Sequence, residues 1–248
     1  MIEDIFEGKR PLNFPPLFEE MPVSAETCPF TKACSMAVLG CDSGTLVHCI
    51  TEDHLRAAIV FAPEMPLARA MAVYAACGTG FQNAFGALAP PEITLDLTWG
   101  GDILVNGAKS GRLRVAASTD DPKVEPDWLV VGIEVQLMPR DADDPGLTPD
   151  QTCLYEEGCA EMSPVDLLEG WARHTLVWIN GLIDGNIAPL HSEWRGFLYG
   201  IGEDVERSGA RGKLRGKFMG LDEDFGMLIR AGEETTLIPL SDLLKENT

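Results

Sequence analysis

The sequence has few positive charges for its length. Its 248 residues hold 19 lysines and arginines against 39 aspartates and glutamates, which gives a formal net charge of −20 at pH 7. Such a surface repels nucleic acids and anionic lipids, so we expect neither a nucleic acid nor a membrane as a partner. Any site for a phosphorylated ligand must therefore gather its basic side chains locally.

Long apolar runs and metal-binding spacings are also missing. The most apolar window, residues 68–88, is interrupted by Gly, Gln and Asn, and the first ten residues carry acids where a secretory signal would carry bases. The seven cysteines include no C-x-x-C pair, and the four histidines have no ligand spacing. We expect a cytoplasmic protein with reduced thiols and no histidine metal site.

The pattern of apolar residues predicts helices and strands in the first two thirds of the chain. A short helix is expected within residues 29–40, a strand at 57–61 and a helix over 66–88. Ser163 followed by Pro, Val and Asp is typical of a helix start, and Gly185 of its end. Residues 139–162, which are acidic and contain prolines, are predicted to be a long loop.

Strand-like runs follow one another between these helices, at residues 93–99, 102–107, 110–118 and 127–139. Asn106-Gly107 between two of them is typical of a two-residue hairpin turn. Successive hairpins with flanking helices predict an α+β domain whose mixed sheet is mostly antiparallel.

The composition changes near Arg195. Beyond it, short strands are separated by Gly and Asp turns, which is typical of a small β-barrel. We therefore predict two domains, residues 1–195 and a C-terminal SH3-like barrel at 196–248.

Residues 98–113, "TWGGDILVNGAKSGRL", hold an acid, a lysine and four glycines in one hairpin-sized segment. Gly100-Gly101 would let the backbone approach a ligand closely, because neither residue has a Cβ. Asp102 could hold a metal ion, and Lys109 could bind an anion, a combination suited to chemistry on a nucleotide or acyl phosphate. The alternative is a glycine-rich surface hairpin whose Asp and Lys are merely solvated.

The same segment resembles the signature of the biotin protein ligases, in the biotin/lipoate ligase superfamily. That signature runs L-K-W-P-N-D, an apolar run, then G-x-K-x-(G/A)-G and a second apolar run. The strand and helix before it, the strand "WLVVGIEVQL" after it and the predicted barrel also resemble this family. The residues that match the signature are Trp99, Asp102, Ile103, Leu104, Val105, Gly107, Lys109 and Gly111.

The resemblance implies an enzyme that makes an acyl-adenylate from ATP and a carboxylic acid, with Mg²⁺, and transfers the acyl group to a lysine of a carrier domain. The acid would be biotin, lipoate or a fatty acid. Lys109 would contact the acid's carboxylate and the α-phosphate, and Asp102 would support the Mg²⁺ and nucleotide. The residues implied in ligand binding are Trp99, Gly100, Gly101, Gly111, Arg112 and Gln136.

The sequence departs from the family pattern at several points. Thr98 stands for the family's lysine, Gly100-Gly101 for Pro-Asn and Gln136 for an asparagine. The family's G-R-G-R-x-G-R loop has no counterpart between residues 40 and 61, where only Arg56 is basic. The upstream Ser-Thr-Asn motif is also missing.

These departures leave three functions open: a ligase with a changed acyl substrate, a non-catalytic relative that binds a ligand or carrier domain, and an acyltransferase with a cysteine nucleophile. Cys153 and Cys159 are the candidates for that nucleophile, although their acidic neighbours would raise a thiol pKa. The pocket above Lys109 should help decide, since it is either open to an acyl chain or filled by side chains of residues 40–56. The oligomeric state is left open.

Overall fold

A computed structural model describes residues 10–139, 150–209 and 212–246 of the chain. No helix in these ranges is long and apolar enough to cross a membrane.

Eleven strands and six helices form the described part of the chain. The strands are β1 (Glu19–Pro22), β2 (Thr45–Ile50), β3 (His54–Phe61), β4 (Leu95–Leu97), β5 (Asp102–Val105), β6 (Ala108–Ala117), β7 (Leu129–Gln136), β8 (Asp204–Gly209), β9 (Gly212–Leu221), β10 (Met227–Ala231) and β11 (Glu234–Ile238). The helices are α1 (Pro29–Val38), α2 (Leu67–Ala70), α3 (Ala72–Leu88), α4 (Pro164–Ile183), α5 (Ile187–Gly196) and α6 (Leu243–Glu246).

The first seven strands make one mixed sheet in the order β1-β2-β3-β7-β6-β5-β4. Only the β1–β2 pair is parallel, and every other neighbouring pair is antiparallel. The predicted α+β class with a mostly antiparallel mixed sheet is therefore confirmed.

Helices cover the two faces of this sheet unequally. On one face, α3 packs between the sheet and α4, and it is buried all round from Ala72 to Phe81. Burial on every side explains why apolar residues occur all round this part of the helix. On the other face, the shorter α1 packs mainly over β2, β3 and β7. The same face of β5 and of the start of β6 is therefore left without α1 above it, and Asp102, Lys109 and Arg112 lie there.

Local sequence patterns correctly predicted several turns and helix ends. Asn106 and Gly107 adopt φ angles of 50° and 87°, as the predicted two-residue turn requires. The Ser163 hydroxyl accepts a hydrogen bond from the Asp166 amide at 3.2 Å and caps α4. The helix predicted over 66–88 is interrupted at Met71, where α2 ends and α3 begins.

The sequence analysis did not predict four elements, β1, β2, α5 and α6. Strand β2 was missed because residues 40–61 were considered only as the region that lacks the family's arginine- and glycine-rich loop. Helix α5 ends at Gly196, next to the predicted domain boundary. The predicted loop over 139–162 lies partly outside the described residues, and its remainder, 150–162, is built of turns.

The C-terminal strands form an antiparallel sheet in the order β11-β10-β9-β8. Contrary to the predicted barrel, this sheet does not close on itself in the described residues. Its inner side chains, among them Phe218, Phe225 and Ile229, belong to the same apolar core as α3 and the first sheet. Packing against the first sheet and its helices thus buries the apolar face of the C-terminal sheet. The sheet does not need to close into a barrel to bury that face.

Candidate active site

A tight turn carries the chain from β4 into β5. The Gly101 amide donates to the Thr98 carbonyl at 3.0 Å, and the Asp102 amide donates to the Thr98 hydroxyl at 2.9 Å. Gly101 has a φ of +97°, a left-handed conformation that favours glycine. The turn thereby fixes Asp102 as the first residue of β5, at the edge of the helix-free face.

Lys109 and Asp102 form an ion pair across the β5–β6 hairpin. Their side chains remain 45% and 42% exposed, so both are accessible to a ligand. The sequence predicted this proximity from the hairpin alone, and the two groups provide a cation and a carboxylate side by side.

A row of charged residues with alternating sign crosses the sheet at the level of Asp102. Asp102 is in register with Arg112 on β6, Arg112 with Glu134 on β7, and Glu134 with Arg56 on β3. The Arg112 guanidinium donates to one Glu134 carboxylate oxygen from Nε at 3.0 Å and lies 2.9 Å from it through Nη2. Opposite charges facing each other across neighbouring strands stabilise the sheet modestly.

Next to this row lies a cleft of about 290 Å³. It is open to solvent and not filled by residues 40–56, of which only His54 contributes to its wall. The residues that line it are His54, Lys109, Ser110, Gly111, Arg112, Glu134, Gln136, Gln151 and Thr152.

Ser110 lies in the wall of this cleft at an irregularity in the β5–β6 pairing. Ile103 faces Gly111 and Leu104 faces Lys109, so Ser110 is the extra residue of a bulge. Its side chain is only 2% exposed, and its hydroxyl has no hydrogen-bond partner in the described structure.

Residues 150–154 extend the sheet beyond the end of β7 and complete the cleft. The Lys109 amide donates to the Asp150 carbonyl, and the Thr152 amide donates to the Lys109 carbonyl, each at 2.9 Å. Gln136 is nearly buried, and its amide nitrogen donates to the Met138 carbonyl at 2.7 Å.

The two candidate nucleophiles are poorly suited to attack. Cys153 and Cys159 are both buried. Burial, and to a smaller extent the charge of the nearby Glu156 carboxylate, raise the pKa of Cys153 to about 11. The pKa of Cys159 is also raised, first by burial and then by Glu157 and Glu92. Neither thiol is therefore a thiolate near neutral pH.

The connection from β2 to β3 is only three residues long, 51–53, at the position where the resemblance leads one to expect the arginine- and glycine-rich loop. It is a closed turn in which the Thr51 amide donates to the His54 carbonyl at 2.9 Å. Asp53 pairs with His54 Nδ1 at 2.8 Å, and hydrogen bonds first from Thr51 and then from His54 lower the pKa of Asp53. No chain from this connection can reach over the cleft.

Trp99 and the two glycines after it face the C-terminal sheet. The Trp99 ring is buried, and its Nε1 donates to the Phe225 carbonyl at 2.9 Å. The Arg207 guanidinium of β8 lies over the Trp99 ring, 5.7 Å from its centroid, and against Gly100. None of these residues lines the cleft, and their assignment to ligand binding stays a prediction.

Gly111 is required for packing between strands. A Cβ at this position would lie 2.2 Å from the Glu134 carbonyl oxygen, so β6 and β7 could not pair as they do with any other residue there. The glycine's role in admitting an acyl chain stays a prediction.

The metal site predicted at Asp102 rests on that one carboxylate. Within residues 10–139, 150–209 and 212–246, no three His, Cys, Asp or Glu side chains cluster as metal ligands. A single carboxylate is nevertheless compatible with Mg²⁺, which is usually held by one or two carboxylates together with substrate phosphates.

The sequence analysis missed Glu134, His54 and Ser110. Glu134 and Gln136 alternate with apolar residues on β7, and this alternation marks a polar face within an otherwise apolar run. His54 faces Gln136 across β3 and β7, a pairing that depends on register. No sequence signal indicates that Ser110 occupies a bulge.

Comparison with known proteins agrees with this fold. The Biotin/lipoate A/B protein ligase family matches residues 14–196, and a domain of unknown function (DUF4444) matches residues 201–246. The chain belongs to the Biotin/lipoate A/B protein ligase family, which confirms the predicted resemblance.

Two crystal structures are similar to the chain over most of its length. A biotin protein ligase-like protein of unknown function from Silicibacter sp. is 51% identical, with a TM-score of 0.87, over 94% of this chain and 99% of that one. The biotin protein ligase of Aquifex aeolicus is 19% identical, with a TM-score of 0.72, over 89% and 95% of the two chains, a likeness of fold alone.

Two curated proteins are related by sequence. The biotin–[acetyl-CoA-carboxylase] ligase of Paracoccus denitrificans is 25% identical over 65% of this chain and 67% of its own length. The bifunctional ligase/repressor BirA of Bacillus subtilis is 23% identical over 73% of this chain, a match that spans about half of that protein.

Proposed function

We propose that this protein is an ATP-dependent ligase, acting in the cytoplasm, that activates a carboxylic acid as its adenylate and transfers the acyl group to a carrier-domain lysine. The observation that carries the proposal is the accessible Lys109–Asp102 pair, whose lysine lines the cleft. Membership of the ligase family supports the same chemistry.

Lys109 has the role of stabilising negative charge. As the acid's carboxylate attacks the α-phosphate, charge develops on phosphorus oxygens, and a fixed ammonium group lowers the energy of that transition state. The backbone of Lys109 is held on both sides, by β5 and by residues 150–152, so its side chain starts from a rigid support.

ATP and Mg²⁺ are the cofactors in this proposal. Asp102 would supply one carboxylate to Mg²⁺, and the remaining ligands would come from phosphate oxygens and water. When bound, the metal neutralises phosphate charge. Lys109 keeps Asp102 oriented before the nucleotide arrives.

A non-catalytic relative is the second candidate. The three-residue β2–β3 connection favours it, because no arginine-bearing loop covers the cleft there. The cysteine acyltransferase has no comparable support, since the pKa values of Cys153 and Cys159 are raised.

The test is ATP–pyrophosphate exchange, measured with Mg²⁺ and a panel of carboxylic acids that includes biotin, lipoate and octanoate. Lys109→Ala should reduce exchange by about 10²–10³-fold with little change in thermal stability, because its side chain is half exposed. Lys245→Ala, which removes a surface pair with Asp242, is the matched control and should retain full exchange.

Exchange that survives in Lys109→Ala would overturn the assignment of Lys109. If no acid supports exchange but one raises the unfolding temperature without ATP and Mg²⁺, the non-catalytic candidate replaces the ligase.

A further inference from the structure

The structure assigns the cleft to a short, polar carboxylic acid with a hydroxyl or ammonium group at its far end, in place of an apolar ring or alkyl chain. This inference rests on the proposed function for the position of the carboxylate, beside Lys109. It goes further in naming the chemical class of the acid from the side chains that would surround the rest of it.

The wall of the cleft is polar throughout the described residues. Apart from Gly111, every residue that lines it carries a charged or hydrogen-bonding side chain. An apolar ring or chain bound there would gain little from burial and would strip water from those groups without replacing its hydrogen bonds. Ligand pockets that hold apolar groups are instead lined mainly by apolar and aromatic side chains.

The Arg112–Glu134 pair is the feature that the far end of the acid would meet. The Glu134 side chain is 30% exposed, so its carboxylate can accept another hydrogen bond while it holds Arg112. A hydroxyl or ammonium group donates such a bond, whereas a methyl group would displace water from the ion pair without replacing its hydrogen bonds.

The cleft cannot extend past Glu134 towards α1 to admit a long chain. Beyond Glu134, the start of α1 covers the same face, and the Phe30 ring packs onto Gly132, where a Cβ would lie 2.6 Å from it. The Arg114 guanidinium stacks on that ring at 4.4 Å from its centroid. Only about 20 Å³ is left in this part of the face, so the acid must end near Glu134.

The experiment compares acids of equal length that differ only at the far end. Pyrophosphate exchange is measured with 4-hydroxybutyrate against pentanoate, and with 5-aminopentanoate against hexanoate. At least one polar member should exceed its apolar match by about tenfold or more in kcat/KM, because a site built to bond a hydroxyl or amine rejects the analogue without it. Octanoate, lipoate and biotin should be weaker still.

The variant Arg112→Leu/Glu134→Leu should abolish or reverse this preference. Both charges are removed together so that neither is left unpaired. The matched control is Glu206→Leu/Lys213→Leu, which removes a cross-strand ion pair of the same kind, at 2.9 Å, in the C-terminal sheet. The control should keep the polar preference.

The outcome separates this inference from the proposed function. If exchange occurs and the apolar acid of each pair, or biotin, is preferred, the polar assignment is wrong while the ligase stands. If no acid supports exchange, the ligase is wrong, and the same pairs are compared by ligand-induced thermal shift without ATP. A larger shift with a polar acid then upholds the assignment. An equal or larger shift with the apolar acids, or no shift with any acid at millimolar concentration, overturns it.

Discussion

The Arg207 guanidinium occupies the space that a side chain at residue 100 would need. A Cβ on Gly100 would lie 2.5 Å from Arg207 Nη1, and the guanidinium also stacks over Trp99. Gly100 stands where the family signature has proline. Its missing side chain leaves room for the guanidinium of Arg207, more than a hundred residues later in the sequence.

We predict that Gly100→Ala and Arg207→Ala are not additive. Each should destabilise the protein by about 1 kcal/mol, through loss of the guanidinium's packing on Trp99. In the Arg207→Ala background, Gly100→Ala should cost much less, since the space is then vacant. Urea unfolding of the four proteins in this cycle measures the coupling. Simple additivity would show that the contact contributes nothing to stability.

Two glycines of α3 should respond in opposite directions to the same substitution. A Cβ at Gly78 would lie 2.3 Å from the Trp194 ring, so Gly78→Ala should destabilise the protein by about 1–3 kcal/mol. Gly86 has nothing within 4 Å, and Gly86→Ala should be stabilising by up to about 1 kcal/mol through helix propensity. Chemical denaturation distinguishes the two, and a neutral Gly78→Ala would mean that α5 can move away from α3.

Acid should weaken the attachment of the N-terminal segment to α4. The buried Glu169 accepts hydrogen bonds from both Arg10 nitrogens, at 2.6 and 2.9 Å, and from the Asn13 amide at 2.6 Å. The Arg10 hydrogen bonds, followed by that of Asn13, lower the pKa of Glu169 below its ordinary value of 4.5, although burial opposes the shift. The stabilisation is therefore fully present above pH 4.5 and is lost as the pH falls through the lower, folded-state pKa.

Glu169→Gln should accordingly lower the unfolding temperature at pH 7 and lose most of its effect towards pH 3. Glu206→Gln, at an exposed pair with Lys213, is the control and should change little at either pH. A Glu169→Gln penalty that is the same at both pH values would contradict the role of its charge.

Cys28, which immediately precedes α1, and Cys34, within α1, should differ strongly in reactivity. Burial opposes ionisation of Cys28, but hydrogen bonds from Thr31 and the Phe30 amide, together with the charge of Arg114, outweigh it and lower the pKa of its thiol. Burial raises the pKa of Cys34 to about 11. Iodoacetamide at pH 7.5 should alkylate Cys28 at least about tenfold faster, as read by mass spectrometry. Equal rates would show that accessibility, and not thiolate fraction, controls labelling.

Short-range patterns predicted much of the candidate site. The Asn106-Gly107 turn fixed the β5–β6 hairpin, and the hairpin alone brings Asp102 and Lys109 together. Such features depend on residues close in sequence, where backbone preferences decide the conformation. The structural contacts of Trp99 and Gly111 could not be predicted from local patterns, because their partners are distant in sequence. Trp99 donates a hydrogen bond to the Phe225 carbonyl, and Gly111 packs on the Glu134 carbonyl.

The sequence by itself determined the α+β class, the ends of α4 and the juxtaposition of one acid with one lysine. Only the tertiary structure decided what surrounds them, namely the alternating charges across β5, β6, β7 and β3, the bulge at Ser110 and the closure of the cleft by Phe30. The physical reason is strand register, since a shift of one residue turns every side chain of a strand to the opposite face. Register between distant strands is set by packing of the whole core, which no local pattern contains.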